Sequence, residues 1–497
     1  MNYLETYLSF REKKQAYNYA MWLISWDQET EAPKQAMAYR SKQIEMLSTL
    51  AYEVETDPLR IEAIDKLSLD NTLSVEMKRE IYLVKKSLDE IRKIPKKAYI
   101  DFQVLLSQAG QIWAESREKN DFEGFMPTLE KVIDFQKTMI KYLETDTLKG
   151  YDVLLDMYEP GMKTTDYDVF FETLKEKLVP FAKKAASIKQ VFPKTLKRAF
   201  PKDKQKVFNQ YLLEVFSYNM DQGVLKESQH PFTSGVASVD TRITTSYHDD
   251  VRSAIFSTIH EMGHGIYEQQ VNKDYDNTEL NGGVSMGIHE SQSRMYENMI
   301  GRSHAFWDTH YEKLQSLFPK ELKKVTKEDF IRYVNEVKMN LIRVEADELT
   351  YSLHIMVRYE IEKMLFNGKL KVKDLPKTWN KLYKSYLGIK PKTDSMGVLQ
   401  DIHWSVGSFG YFPTYALGSA ISAQIYQKMN QELPIESLIR NNEISQINEW
   451  LKQHIHQYGK LLEPKALLLK ATKEAFNPDY YVTYLIEKYR LILGIEA

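Results

Sequence analysis

Over most of this chain apolar residues recur every three or four positions among charged ones. That spacing predicts amphipathic helices over residues 4–53, 73–92, 97–119 and 125–144. It continues over residues 327–366 and through most of the tail from Ala416. Proline and glycine mark breaks without forming long linkers, and no low-complexity segment or internal repeat intervenes. One stretch departs from the pattern. Residues 235–247 are rich in β-branched side chains and predict a strand pair, or a strand with a turn. They run straight into another helical pattern. Asp249 or Asp250 suits its N-cap, and Val251, Ala254, Ile255, Thr258, Ile259 and Met262 recur at helical spacing.

That helix carries His260-Glu261-Met262-Gly263-His264. Residues four apart on a helix share a face, so the two imidazoles can converge on one zinc ion. Glu261 is then placed to act as general base on a water molecule there. A charged surface helix can produce the same pattern by accident. Gly263 argues against that, since glycine costs a helix roughly 1 kcal/mol against alanine and suits a helix in close packing.

A catalytic zinc usually takes a third protein ligand. Glu290 follows His260 by 30 residues. Turn-forming Asp276, Asn277, Asn281, Gly282 and Gly283 lie between them, and a second helix is expected from about Met286 to Ile300, ended by Gly301. His289 is the rival ligand. Glu290 is preferred because it completes a His₂Glu set. Four residues beyond it stands Arg294, where thermolysin-like patterns often have an aspartate, so the groups behind the ligands must be arranged differently.

The 497 residues include 67 Lys and Arg against 69 Asp and Glu, a net charge of −2 that offers no field for nucleic acid. A hydrophobic fraction of 43% can fill a sizeable core. Cysteine is absent, which excludes a disulfide framework and a thiolate zinc site. No apolar run approaches the roughly 18 residues of a membrane span. Glu5, Arg11, Glu12, Lys13 and Lys14 leave no apolar signal core at the start. The expectation is a cytoplasmic protein with no membrane partner. Length alone admits two to four domains, or one large helical body with two lobes.

Several ordered motifs resemble those of the carboxypeptidase Taq family. Trp26-Asp27-Gln28-Glu29-Thr30, with Pro33 beyond, resembles its WDxxT segment. His230-Pro231-Phe232 matches HPF, and Asp240-Thr241-Arg242-Ile243-Thr244 matches DxRxT. The HExxH segment and His289-Glu290-Ser291-Gln292 match its two zinc motifs. Ile342-Arg343-Val344-Glu345-Ala346-Asp347 matches IRxxAD, and residues 397–404 match GxxQDxHW. The resemblance covers nearly the whole chain. It implies a mainly α fold: a helical ellipsoid split by a deep groove, with a small β-sheet beside the zinc helix, distantly similar to neurolysin and angiotensin-converting enzyme. Residues 1–497 would form one catalytic domain, with helices of about residues 1–150 in the groove wall. It implies a homodimer that removes single residues from peptides with a free C-terminus. It also implies one zinc per chain, replaceable by Co²⁺, on His260, His264 and Glu290, with Glu261 as general base.

A carboxypeptidase must hold a free α-carboxylate, and arginine suits this through bidentate bonding. Arg242 and Arg343 are the candidates, although Arg343 can instead pair with Glu345 or Asp347. Oxyanion donors are expected from His403 and from the glycine- and tyrosine-rich segment 407–415, with Tyr411 first and Tyr415 in reserve as a substrate contact. Asp401 or Asp347 is expected to orient a ligand imidazole. The strand segment offers an edge for an extended peptide. An oligopeptidase or dipeptidase on the same scaffold would share the zinc site but lack the carboxylate anchor. A non-catalytic helical interaction protein would need a defunct site, and a phosphatase or nuclease would need an oxygen-rich two-metal cluster.

Overall fold

Helices Tyr3–Thr30 and Met37–Thr56 come first in a computed structural model that describes residues 2–495. Between them this pair fully buries only Tyr7, Trp26 and Val54, so it lies over the body rather than inside it. Helices Val75–Lys93, Lys96–Lys119 and Phe122–Leu143 follow the expected periods closely. Local chemistry sets their ends. Ser74 Oγ accepts from Met77 N at 3.1 Å and Asp121 Oδ1 from Gly124 N at 2.9 Å, each satisfying an amide of a first turn. One contiguous apolar cluster runs from Phe102 to Ile495, and a smaller one around Tyr7, Ile64 and Ile81 lies beneath the first helix.

The stretch expected as one helical pattern over 327–366 is two helices, Lys327–Val334 and Glu348–Phe366. Polar side chains make the break. Asn335 Nδ2 donates to Arg302 O at 3.0 Å, and Asp347 Oδ1 caps the second helix by accepting from Thr350 N at 3.0 Å. A short 3₁₀ turn at Arg343–Glu345 lies between them.

The β segment is larger than the sequence pattern indicates. Strands β2 (Thr233–Ala237) and β3 (Asp240–Thr245) form the expected hairpin, and β1 (Gly223–Glu227) adds parallel to β3, giving the order β1-β3-β2. β1 has only Val224 and Leu225 as strand-favouring residues, too short a signal to read alone. Pairing of Thr233 with Ile243 and of Ser234 with Arg242 separates the two faces of the sheet. Thr233 and buried Ile243 face the HExxH helix. Ser234 and Arg242 face Tyr3–Thr30, where Trp22 Nε1 donates to Ser234 Oγ at 2.6 Å.

Asp250 caps the HExxH helix, Val251–Gln269. The second helix, Met286–Arg294, continues as a π-helical stretch, Met295–Ile300. These helices touch almost backbone to backbone: a Cβ on Gly263 would stand 2.7 Å from Ser293 Cα. Gly301 does close the second helix, but not by the left-handed turn its glycine suggested. Its φ is −64°, and its smallness instead admits Ile259 Cδ1, which would lie 2.9 Å from a Cβ there.

Candidate metal centre and groove

His260 and His264 lie one turn apart, and their Nε2 atoms stand 3.8 Å and 3.7 Å from Glu290 Oε2. All three ligand atoms lie within 4.8 Å of one another. Two ligand atoms each about 2.1 Å from one ion are at most about 4.2 Å apart, so one ion can bridge either histidine to Glu290. Hydrogen bonding behind the imidazoles also fits a metal. His260 Nδ1 lies 2.9 Å from Glu297 Oε2. His264 Nδ1 lies 2.5 Å from His289 Nδ1, and His289 Nε2 lies 2.6 Å from Glu268 Oε1. With the proton of His289 on Nε2, its Nδ1 accepts from His264. Both histidines of the candidate site then hold a proton on Nδ1 and leave Nε2 toward the cavity, as metal binding would require.

Glu290 is oriented from its other oxygen, since Arg294 Nε donates to Oε1 at 2.7 Å. Arg294 also donates to Glu297 Oε2 at 3.1 Å, and Arg302 to Glu297 Oε1 at 3.0 Å. Burial works to raise the Glu297 pKa, but Arg294, His260 and Arg302 outweigh it and hold this carboxyl well below the usual range. Burial, together with neighbouring His289 and His260, pushes His264 well below its ordinary value and keeps it neutral. Burial opposes charge on His260 as well, but Glu290 and Glu297 prevail and raise it.

Glu261 borders the same cavity. Thr233 Oγ1 on β2 donates to its Oε2 at 2.7 Å, and Oε1 has no protein partner among the described residues. Burial raises the pKa of Glu261 against the opposing effects of His260 and Thr233, which increases its appetite for a proton. The cavity is a groove of about 1030 Å³ whose lining includes His260, Glu261, Glu290, Arg343, Tyr351 and Tyr415.

Arg343 donates through Nε to Asp401 Oδ1 at 3.0 Å and through Nη1 to Tyr351 OH at 3.3 Å. Nη2 has no protein acceptor among the described residues. Neither Glu345 nor Asp347 pairs with it, contrary to the alternative in the sequence reading. Glu345 bonds Asn340 at 3.1 Å, and Asp347 is committed to its helix cap. Asp401 does not orient an imidazole either, because it lies between Arg343 and Arg358. The carboxylate behind His260 is Glu297, seven residues beyond Glu290.

Arg242 is held elsewhere. Asp240 takes its Nε and Nη2 at 2.7 Å and 2.8 Å, and its guanidinium lies over Trp22 and Trp26, 4.6 Å and 5.6 Å from the ring centroids. It faces away from the HExxH helix and is not among the groove-lining residues. His403, Tyr411 and Tyr415 cluster beside the groove. His403 Nε2 is 3.4 Å from Tyr415 OH, and the rings of Tyr411 and Tyr415 lie 5.0 Å apart. Tyr415 lines the groove, while Tyr411 packs edge-on against Tyr158. Burial and the charge of Arg343 push His403 down to about 4, so it is neutral near pH 7. No helix among the described residues is long and apolar enough to cross a membrane.

The model of the carboxypeptidase Taq (M32) metallopeptidase family matches residues 7–489. Carboxypeptidase 1 of Bacillus subtilis is 42% identical over 485 residues, covering 95% of each chain. Thermostable carboxypeptidase 1 of Thermus thermophilus is 37% identical over 492 residues, again covering 95% of each. The crystal structure of an M32 carboxypeptidase from Deinococcus radiodurans superposes with a TM-score of 0.94 at 32% identity, over the full length of both chains. The chain therefore belongs to the carboxypeptidase Taq (M32) family and is a metallocarboxypeptidase.

Proposed function

We propose that this enzyme is a zinc carboxypeptidase, formed as one catalytic domain, that releases single residues from peptides with a free C-terminus. The observation that carries this reading is the meeting of His260, His264 and Glu290 with Glu261 and Arg343 in one groove. The three donors, two imidazoles and one carboxylate, suit zinc, with cobalt as a substitute. A metal there supplies a Lewis acid for the scissile carbonyl and an activated water.

The chain's own groups do the rest. Glu261, steadied by Thr233, takes the water's proton on its unpartnered oxygen and passes it to the leaving amine. Arg343 is fixed by Asp401 and Tyr351 and offers its remaining Nη2 to the terminal carboxylate. Tyr415 and His403, with Tyr411 beside them, donate to the oxyanion. Since His403 is neutral, it donates as imidazole. The edge strand β2 aligns the peptide backbone. The test is mass-spectrometric digestion of one peptide, with its C-terminus free or amidated, with and without chelator. Stepwise loss of single residues from the free acid alone, abolished by chelator and restored by zinc, is the expected result. Internal cleavage, or equal cleavage of both forms, would replace this reading with an oligopeptidase. The family resemblance also supports a homodimer, which sedimentation tests, and we read the enzyme separately as cytoplasmic, which cell fractionation tests.

A further inference from the structure

Glu362 lies outside the groove and is fully buried, yet it keeps a carboxyl group. It sits on helix Glu348–Phe366 and meets three donors. Tyr151 OH donates to Oε2 at 2.6 Å, Gly410 N donates to Oε2 at 2.8 Å, and Trp404 Nε1 donates to Oε1 at 2.7 Å. The last two have a particular place in the chain. Trp404 directly follows His403, and Gly410 directly precedes Tyr411. Segment 404–410 between them has neither helix nor strand. Its glycines hold left-handed turns, φ +75° at Gly407 and +88° at Gly410. A Cβ on Gly410 would fall 2.5 Å from Leu154 O, so the loop is pressed against its floor. Tyr411 directly precedes the helix Phe412–Glu432, which carries Tyr415.

We propose that Glu362 is a positioning residue for the peptidase reaction. By bonding both ends of segment 404–410 it sets the separation of His403 from Tyr411 and, one helical turn on, from Tyr415. The inference rests on the reading of His403 and these tyrosines as oxyanion donors. The chemistry supports it. A fully buried carboxylate is unfavourable unless its lone pairs are filled, and here two protein-backbone or indole donors and one phenol fill them. An apolar residue of similar size would pack the site without binding the loop. Oxyanion donors work only when held to within a few tenths of an ångström, and segment 404–410, built of turns without helix or strand, is anchored at both of its ends by Glu362.

The test is Glu362→Gln in the metal-loaded enzyme. The amide keeps the volume but turns an N–H₂ group toward a donor. We expect kcat to fall roughly tenfold or more, with KM and zinc affinity nearly unchanged. Affinity for a phosphonate peptide analogue should fall by the same factor as kcat/KM, because that analogue mimics the tetrahedral oxyanion. A merely structural role would not weaken the analogue selectively. Combined with His403→Phe, the second change should cost far less than it does alone, since both act on one group. If Glu362→Gln does not fold, Trp404→Phe removes a single donor and should lower kcat several-fold in the same selective way. Wild-type kcat in a folded variant, or full additivity with His403→Phe, would overturn the positioning role. If instead His403→Phe and Tyr415→Phe both turn over normally, the donor reading itself fails and the Glu362 inference falls with it.

Discussion

Glu297 Oε2 lies 2.9 Å from His260 Nδ1 while Arg294 and Arg302 hold the same carboxylate from behind. The proton on His260 Nδ1 is thereby fixed, and Nε2 is committed to the cavity. Glu297→Gln should leave the fold intact but weaken zinc retention about 10- to 100-fold, the usual effect of losing a partner behind a metal ligand. Competition against a graded chelator reads this directly. Unchanged retention would mean that His260 needs no such partner.

Glu261→Gln should retain the metal and the fold while turnover falls on the order of 10²- to 10⁴-fold. The amide can still accept from Thr233 Oγ1, so the local bond survives while proton transfer does not. Single-turnover kinetics together with metal content separate the two effects. A variant within a factor of a few of wild type would remove Glu261 from the role of base.

Much of this centre was readable in the sequence because helical spacing is a short-range rule. His260 and His264 four apart, Asp250 as cap and Gly263 as a packing residue all follow from it. Glu290 followed from ligand chemistry and a plausible turn. Glu297 did not, although it lies two turns beyond Glu290, because a π-helical stretch from Met295 shifts the face on which it falls. The relay from His264 through His289 to Glu268 joins two helices, and no spacing rule reports on it. Arg343 and Arg242 looked equivalent in their motifs. The sheet register separates them by turning Arg242 toward Trp22 and Trp26, and the break at residues 335–347 brings Arg343 to the groove. Strand β1 was missed because its five residues contain two strand formers and depend on β3 for pairing.

Gly418 admits Glu290. A Cβ at position 418 would stand 2.6 Å from Glu290 Cβ and 3.0 Å from Gly287 O. Gly418→Ala should therefore push the third ligand off its position. The expected outcome is a loss of about 1–3 kcal/mol in stability from overpacking, together with weaker zinc binding. Thermal melts with and without chelator distinguish the two. A metal affinity equal to wild type would show that the Met286–Arg294 helix can shift without cost to the site.

Glu159 is buried at the start of that same helix and accepts from Gly287 N at 2.7 Å and Ser285 Oγ at 2.9 Å. Burial outweighs these bonds and pushes its carboxyl up to about 7, from 4.5 unperturbed. A raised carboxyl pKa favours the folded state while protonated. Its contribution is complete below about pH 4.5 and is lost as pH rises through about 7. Glu159→Gln removes that dependence. With zinc saturating, wild type should lose up to about 3 kcal/mol relative to the variant across this window. Denaturant unfolding of both proteins at matched pH values measures it. The opposite trend would show that the amide and hydroxyl donors keep Glu159 ionised throughout.

Where a peptide is cut depends on the anchor for its C-terminus, and the two candidate arginines give different expectations. Arg343 borders the groove with Nε and Nη1 engaged, so its remaining Nη2 is preset for a carboxylate at little entropic cost. Hydrogen bonds to charged groups contribute roughly 1.5–3 kcal/mol each. Arg343→Ala should therefore lower kcat/KM for a free-acid peptide by about one to two orders of magnitude. The rate for the amidated peptide should change far less, so the preference between the two collapses while zinc stays bound. Arg343→Lys should recover only part, because an ammonium cannot hold both Asp401 and a carboxylate in one plane. Arg242 is bound by Asp240 and stacked on Trp22 and Trp26. Arg242→Ala should instead lower stability by about 1–2 kcal/mol, through a lost half-buried ion pair and cation–π contact, and keep the free-acid preference. Parallel measurement of stability and of the free-to-amide rate ratio in both variants decides the matter. If Arg242→Ala abolishes the preference and Arg343→Ala spares it, the anchor belongs on the face of the sheet toward helix Tyr3–Thr30, and the peptide must enter from that side.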